Sequence, residues 1–274
     1  MYFFVENLEF ESLNAVINNT RFKILEHGFL NTGSEWKFTN LSSPFNRLYF
    51  VISGSARINN EYNDLELKGG NVYLIPLYNT YDYICENSLN KFYIHFRIEL
   101  LSEHDLFEGC RYCSSLPVDN GIMDILVQSA KSGGIGDFIR CKGIFLDYIG
   151  RFMAPYSDNI NEQIQLSSKY EQLYRYISEN CYADLRVNEL AESMNTSLSN
   201  LSRSFKYDTG MNLKKFLEKK IIHKAQEMLL VTDRTVKDIA YELRFLDEFH
   251  FSRFFKRCIG ISPNKYRQRN NTFK

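Results

Sequence analysis

Two sets of serine, arginine and lysine residues near the C-terminal end of the chain combine residue types suited to contacting nucleic acid. The sets have the same order and spacing: Ser202, Arg203 and Lys206, then Ser252, Arg253 and Lys256. An arginine can donate two hydrogen bonds to O6 and N7 of guanine, a serine hydroxyl can pair with several bases, and a lysine pairs with phosphate. The repetition predicts a surface that reads base edges and holds the backbone of a duplex.

These sets belong to a longer repeat that predicts two helix-turn-helix motifs. Matched apolar positions precede each set and a glycine follows it: Val187, Leu190, Ala191 and Gly210, then Val236, Ile239, Ala240 and Gly260. Ala191 and Ala240 are 49 residues apart, whereas Arg203 and Arg253 are 50 apart, so the second copy has one extra residue between its halves. Each half has helical spacing, and the second helix of such a motif enters the DNA major groove.

The spacing also predicts which face of each second helix points outward. Leu201 with Phe205, and Phe251 with Phe255, are pairs four residues apart that we expect to be buried. The opposite face carries the candidates for base contacts: Ser199, Ser202, Arg203, Glu248, Phe249, Ser252 and Arg253. Lys206, Lys256 and Arg267 are the candidates for phosphate contacts.

Charge is distributed unevenly along the chain. The 274 residues hold 33 basic and 33 acidic side chains. Residues 1–169 carry 14 basic against 20 acidic, a net charge of −6, and residues 170–274 carry 19 against 13, a net charge of +6. From Arg253 onward there are seven basic residues and no acidic one, which suits a polyanionic partner.

Several function classes lack their usual residues. The six cysteines show no disulfide framework spacing, and Cys110 with Cys113 forms a C-x-x-C that has no second ligand pair. We find no nucleophile paired with a general base and no two carboxylates at a spacing typical of acid–base catalysis. We therefore predict no catalytic residue, metal or cofactor. No apolar run reaches the roughly 18 residues of a membrane helix. With no signal peptide pattern, the sequence predicts a cytoplasmic protein with reduced thiols.

The N-terminal half predicts a small antiparallel barrel or sandwich. Residues 20–100 alternate like strands, and residues 120–153 change to helical spacing. We predict an α+β protein with a domain at 1–153, a linker at 154–167 and an all-α domain at 168–274. The helical stripe with Phe145, Ile149 and Phe152 either covers the barrel or pairs with a second subunit through residues 138–152.

One strand of this barrel offers a candidate ligand site. Alternation places Tyr93, His95 and Arg97 on one face, where a polar stripe with aromatic rings could line a pocket for a hydroxylated solute such as a sugar. The alternative is that the stripe faces water.

The C-terminal region resembles the AraC/XylS family of bacterial transcription regulators over residues 168–270. The resemblance lies in Ser-Arg-Phe-Phe-Lys at 252–256, Gly-Ile-Ser-Pro at 260–263 and Tyr266-Arg267. It implies two helix-turn-helix motifs joined by a long helix, reading major-groove segments about 34 Å apart. It also implies that the base-facing candidates above are the groove-facing positions.

Residues 48–54, 69–76 and 93–96 resemble, more loosely, the family's cupin-like sensor barrel. His27, His95 and His104 lack the spacing of a cupin metal site. The second motif departs from the family, because Arg244-Phe245 stands where a Gly-Phe pair is usual. An arginine at positive φ costs about 1 kcal/mol or more, so either this turn differs or the second motif is slightly weakened. We therefore expect the first motif, with Asn195 at its turn, to read more of the sequence.

These observations lead to a hypothesis with two rivals. The hypothesis is a regulator that binds promoter DNA, senses a small molecule such as a sugar in its barrel, forms a homodimer, and contacts RNA polymerase if it activates. One rival is an enzyme of cupin type with a DNA-targeting module. The other is a regulator whose barrel only dimerises. The sequence leaves the effector, the promoters and the sign of regulation open.

Overall fold

The structure is a computed structural model that describes residues 20–100, 104–156 and 169–270. Among these residues, 22–98 and 106–156 form one compact unit, the β unit, and 169–270 belong to another, the helical unit. The predicted fold class, a β-rich N-terminal part with two following helices and an all-α C-terminal part, is confirmed. Residues 154–156 form a short 3-10 helix, and the rest of the predicted linker lies outside the described residues.

Most of the strands lie within residues 20–100, where the alternation of residue types predicted them. The strands are β1 Arg21–Thr32, β2 Lys37–Ser42, β3 Asn46–Asn59, β4 Asp64–Lys68, β5 Asn71–Ile75, β6 Thr80–Ile84, β7 Leu89–Leu100, β8 His104–Asp105 and β9 Ser114–Pro117. Two helices follow, α1 Ile122–Ser132 and α2 Ile135–Met153. Asn71, which begins β5, comes directly after Gly70, whose φ of 80° forms the turn from β4.

The long strand β3 belongs to two sheets and joins them. Its first half pairs antiparallel with β5 and β7, and its second half pairs antiparallel with β4 and β6. The strand changes sheets at Gly54, where φ is 81° and a Cβ atom would lie 2.0 Å from the carbonyl oxygen of Ser88. Only glycine can occupy this position, because any side chain would collide with backbone. The result is a barrel-like pair of sheets.

The outer face of one sheet is covered by the two helices. Leu48 and Phe50 of β3 point to this face, where they pack with Phe145, Ile149 and Phe152 of α2. All five side chains are buried. Of the two alternatives for the helical stripe, covering the barrel is therefore the observed one, and these three aromatic and aliphatic side chains of α2 are not available to a second subunit.

The helical unit contains the two predicted motifs and the helix between them. Its helices are α3 Glu171–Glu179, α4 Val187–Ser193, α5 Leu198–Thr209, α6 Leu213–Val231, α7 Val236–Glu242, α8 Glu248–Ile259 and α9 Pro263–Asn270. Helices α5 and α8 both end at a left-handed glycine, Gly210 and Gly260, as the sequence predicted. None of the helices in the described residues is long and apolar enough to cross a membrane.

The turn of the second motif has the same backbone geometry as that of the first. Asn195 and Arg244 are both left-handed, with φ of 50° and 55°. Two backbone hydrogen bonds of 2.9–3.0 Å close each turn, donor first: Asn195 to Glu192 and Thr196 to Ala191, then Arg244 to Tyr241 and Phe245 to Ala240. The extra residue of the second motif lies after its turn, where Leu246 is 87% exposed. The turn of the second motif therefore has the same geometry as that of the first. Of the two expected consequences of Arg244, only the strain of its left-handed backbone remains.

Arg244 gains a contact that offsets this strain. Its guanidinium lies 3.8 Å from the centroid of the Tyr182 ring. A cation over an aromatic ring contributes about 0.5–1 kcal/mol at an exposed site. The energy of this ring contact is similar in size to the cost of the left-handed backbone at Arg244. The contact therefore offsets much of the destabilisation that an arginine at this turn would otherwise cause.

We predict that Arg244→Ala is less stable to urea than Arg244→Gly by about 0.5–1 kcal/mol. Both changes remove the ring contact, but only alanine keeps a Cβ at positive φ, and the greater freedom of glycine in the unfolded chain offsets part of this difference. At an ordinary helical position alanine is the more stable of the two. An alanine variant equal to or more stable than the glycine variant would contradict a left-handed turn here.

Candidate nucleic-acid interface

Helix α6 joins the two motifs by contributing to the core of each. Its first turns pack with the first motif and its later turns with the second. The α6 residues in the first core are Leu213, Phe216 and Leu217, and those in the second are Ile221, Ile222, Ala225, Met228 and Leu229. Because one rigid 19-residue helix carries both sets, the two motifs are held at a fixed separation within the helical unit.

The second helix of each motif is anchored in the same way. Phe205 of α5 and Phe255 of α8 are both 0% exposed, each within its own core. Ser197 caps the start of α5 by accepting from the backbone N–H of Asn200 at 3.2 Å, and Asp247 caps α8 by accepting from that of His250 at 2.6 Å. Side-chain caps of this kind stabilise a helix start by about 1 kcal/mol. The two helices have 12 residues each and begin 50 residues apart.

The predicted base-facing and phosphate-facing side chains lie on the outward side of these helices. Arg203 and Lys206 on α5, and Arg253 and Lys256 on α8, are exposed. The predicted base-facing residues around them are exposed or half-buried: Ser199, Ser202, Glu248, Phe249 and Ser252. Phe249 is 66% exposed. The structure therefore brings each predicted set together on one helix, and the base and phosphate roles stay predictions.

Helix α5 has a second anchor that the sequence did not reveal. Asp208, near its C-terminal end, accepts hydrogen bonds from the ammonium of Lys169 and the hydroxyl of Tyr170. These donors lower the pKa of the Asp208 carboxyl. The two donors lie 38 and 39 positions away in sequence, so no local pattern could have indicated the contact. It fixes α5 to the residues that precede α3.

Arg267 of α9 lies in a different environment from the two lysines assigned with it. Its guanidinium donates to the backbone carbonyl of Leu229 at 2.9 Å and to that of Arg234. These carbonyls belong to the end of α6 and the segment before α7. Arg267 thus holds the connection between α6 and the second motif, in addition to the phosphate contact that remains a prediction for it.

In the β unit, the predicted polar stripe of β7 lies on the inner face of the barrel. His95 is 2% exposed and Arg97 is 8% exposed, so these two side chains do not face water. Tyr93, which precedes them on the same face of β7, is half-buried. Glu26 of β1 accepts from the hydroxyl of Tyr93 at 3.1 Å and lies 3.0 Å from Nδ1 of His95. Burial lowers the pKa of His95 to about 4, against the raising effect of Glu26. The ring is therefore neutral at physiological pH.

The inner face also holds two cationic side chains that the sequence did not lead us to predict. Lys91 lies two residues before Tyr93 and shares its side of β7, and Arg47 lies opposite His95 on β3. Both are 1% exposed. Extending the alternation of the predicted strand by one residue toward the N-terminus would have included Lys91. In the part of the chain that is described, no cluster of three or more histidine, cysteine or acidic side chains has the arrangement of a metal site.

The geometry of the helical unit, two capped and matched motifs on one helix, defines a double helix-turn-helix domain. Residues 190–269 match a family model described as a helix-turn-helix domain. Residues 190–269 thus form a helix-turn-helix domain of the AraC type, and the chain is similar to HTH-type transcriptional regulators.

Curated relatives agree with this assignment. An uncharacterized HTH-type transcriptional regulator of Staphylococcus aureus (strain COL) is 26% identical over 244 residues, which is 84% of this chain and 33% of the relative. The HTH-type regulator YtdP of Bacillus subtilis (strain 168) is 29% identical over 119 residues, 43% of this chain and 15% of the relative. The chain spans about a third of the length of the S. aureus relatives it matches.

A solved structure shares the two-part fold. ToxT from Vibrio cholerae O395, bound to (E)-4-(8-methylnaphthalen-1-yl)but-3-enoic acid, has a TM-score of 0.53 and 12% identity, covering 90% of this chain and 98% of ToxT. At this identity the likeness concerns the fold alone.

We predict that Arg267→Ala lowers the free energy of unfolding by about 1–3 kcal/mol, because it leaves two backbone carbonyls without their charged donor. The matched control is Lys265→Ala on the same helix. Lys265 is exposed, and we expect its removal to change stability by less than about 0.5 kcal/mol. Urea denaturation followed by circular dichroism measures both, and equally small losses would show that the Arg267 contacts do not stabilise the connection.

Proposed function

We propose that the chain binds promoter DNA sequence-specifically and regulates transcription in the cytoplasm, contacting RNA polymerase if it activates. The observation that carries this proposal is the equivalence of α5 and α8, which share length, cap position, buried phenylalanine and exposed arginine while both pack on α6. At 1.5 Å per residue, the 19 residues of α6 extend about 28 Å. This is close to the roughly 34 Å between successive major-groove segments on one face of DNA.

Within this proposal the two kinds of basic residue have different roles. Arg203 and Arg253 lie on the outward face among the serines and contact base edges. Lys206 and Lys256 lie one turn further along each helix and contact phosphates, where they hold the protein in register without reading sequence. The net charge of +6 in residues 170–274 supports association with a polyanion.

We predict that Arg203→Ala weakens binding to the native upstream DNA by about 1–3 kcal/mol and relaxes the preference at one base position. Lys206→Ala should weaken binding to all sequences alike and reduce the dependence on salt. Fluorescence anisotropy with specific and random duplexes of equal length, at fixed ionic strength, separates the two effects. If the wild-type chain binds the native DNA no better than random DNA, the proposal of sequence-specific binding fails.

The β unit, in this proposal, senses a small molecule. ToxT, which shares the fold, was solved with a small organic acid bound, and here the inner face of the barrel holds buried polar groups that a soluble effector could contact. Such a ligand acts only if it binds two arrangements of the protein with different affinities.

We also propose that the chain forms a homodimer, through a face of α2 other than the buried one. Ile139 and Leu146, 68% and 38% exposed, alternate along this face with the exposed glycines 136, 143 and 150. The spacing of three and four residues is that of a helix–helix seam, and glycine lets two backbones approach. Arg140 and Asp147 flank the seam, so an antiparallel second copy would place opposite charges side by side.

We predict that Gly143→Leu weakens the dimer at least about tenfold, because a side chain there would separate the helices. The fold should be preserved, since a Cβ at Gly143 meets no atom within 4 Å and leucine favours helix more than glycine does. Gln128→Leu, an exposed position on α1, is the control for added apolar surface. Sedimentation equilibrium measures the association, and a dimer unaffected by Gly143→Leu would exclude this face.

A further inference from the structure

Lys91 is a buried cation enclosed by aromatic rings. It lies on the inner face of β7 and is 1% exposed. Its Nζ atom lies 4.1 Å from the centroid of the Trp36 ring and 3.3 Å from that of Tyr49. Contact with ring faces is favourable in a desolvated site, but removing an ammonium from water costs more than such contacts recover. The rings therefore stabilise the ammonium only in part.

The positive charge of Arg47 adds to the cost of burying Lys91. Burial, followed by the positive charge of Arg47, lowers the pKa of Lys91 well below its usual value, and the thiol of Cys85 raises it slightly. Arg47 is equally buried, and its guanidinium lies over the rings of Phe45 and Tyr83 at 5.1 and 5.8 Å. Among the described residues, no carboxylate contributes to the electrostatic environment of Lys91.

Two further polar groups beside Lys91 have unmet hydrogen-bonding capacity. The Nε1 atom of Trp36 and the hydroxyl of Tyr49 are buried and find no hydrogen-bond partner within the described part of the chain. Their residues are 3% and 0% exposed. A buried polar group without a partner is destabilising, because it has given up its hydrogen bonds to water. An indole N–H and an ammonium can only donate, so what this site lacks is acceptors.

We propose that the inner face of the β unit binds a small organic anion. Its carboxylate or phosphate group pairs with the ammonium of Lys91 and accepts from Trp36 Nε1 and the Tyr49 hydroxyl, while its carbon skeleton packs against the surrounding rings. This inference rests on the sensing role proposed above and names the ligand class for it.

The chemistry of the site favours an acid over the neutral sugar that the sequence suggested. Each sugar hydroxyl brings a donor together with its acceptors, and a neutral molecule supplies no negative charge to stabilise the ammonium form of Lys91. A carboxylate brings only acceptors and an opposite charge, and charge-assisted hydrogen bonds are about twice as strong as neutral ones.

Trp36 is the one tryptophan of the sequence, so its fluorescence reports directly on this site. The full chain is titrated with pairs that differ in the acidic group: glucuronate against glucose, glucose 6-phosphate against glucose, and benzoate against benzyl alcohol. Acetate and inorganic phosphate test the charged group alone, with potassium chloride at matched ionic strength as the blank. We expect saturable changes with acids, and the carboxylate and phosphate arms show which group is preferred.

Substitutions assign the response to Lys91. Lys91→Met keeps the length of the side chain and removes its charge, and we expect it to weaken acid binding by about tenfold or more. Lys91→Arg keeps the charge and should retain binding. Lys68→Met, at an exposed position of β4, is the control and should leave binding unchanged.

Three results would overturn the proposal. They are responses only to the neutral partners, no response to any acid including acetate and phosphate, and acid responses unaffected by Lys91→Met. A response to glucose alone would leave the sensing role intact while rejecting an anion. Failure of DNA binding is detected separately, because the anisotropy measurement needs no ligand.

Discussion

The helical unit depends on one constraint, which is that a single helix completes two hydrophobic cores. Neither motif has enough apolar surface to bury without α6, because Phe205 and Phe255 each need a facing row of side chains. A helix is stiff over 19 residues, so the packing that stabilises each motif also sets the separation between them. Stability and the spacing of the exposed arginines thus have the same origin.

In the β unit the main constraint is not the packing of apolar side chains but the burial of polar groups. The outer face of its main sheet is apolar and is closed by α1 and α2, whereas the inner face holds Arg47, Lys91 and His95. A fold selected for stability alone would place apolar residues there, since replacing buried ion groups by apolar ones is often neutral or stabilising. These groups lie on one face, next to Trp36 and Tyr49, where the proposed anion would offset the cost of their burial.

Much of the helical unit could be predicted from the sequence because its signals are local. Helical spacing, the glycines that end α5 and α8, and the proline that begins α9 each act within a few residues, and a long helix was expected where α6 lies. The contacts that could not be predicted join distant segments, as Arg267 does with Leu229 and Lys169 with Asp208. The inner face of the barrel was found through Tyr93, His95 and Arg97, but Lys91 was missed because strand ends are poorly marked.

The expectation that the two motifs are unequal rested on Arg244 and on the bulkier outward face with Phe249 and His250, and the structure changes the first of these grounds. The turn closes with the same hydrogen bonds as in the first motif, and the guanidinium packs on Tyr182. Moreover, α7 begins with a reciprocal capping box between Thr235 and Asp238, whereas Arg186, the residue before α4, provides no side-chain cap. Because a cap contributes about 1 kcal/mol, the second motif is no less well built than the first. Any difference between them in reading DNA must therefore come from the outward side chains, where Phe249 offers apolar surface and Ser199 a hydroxyl.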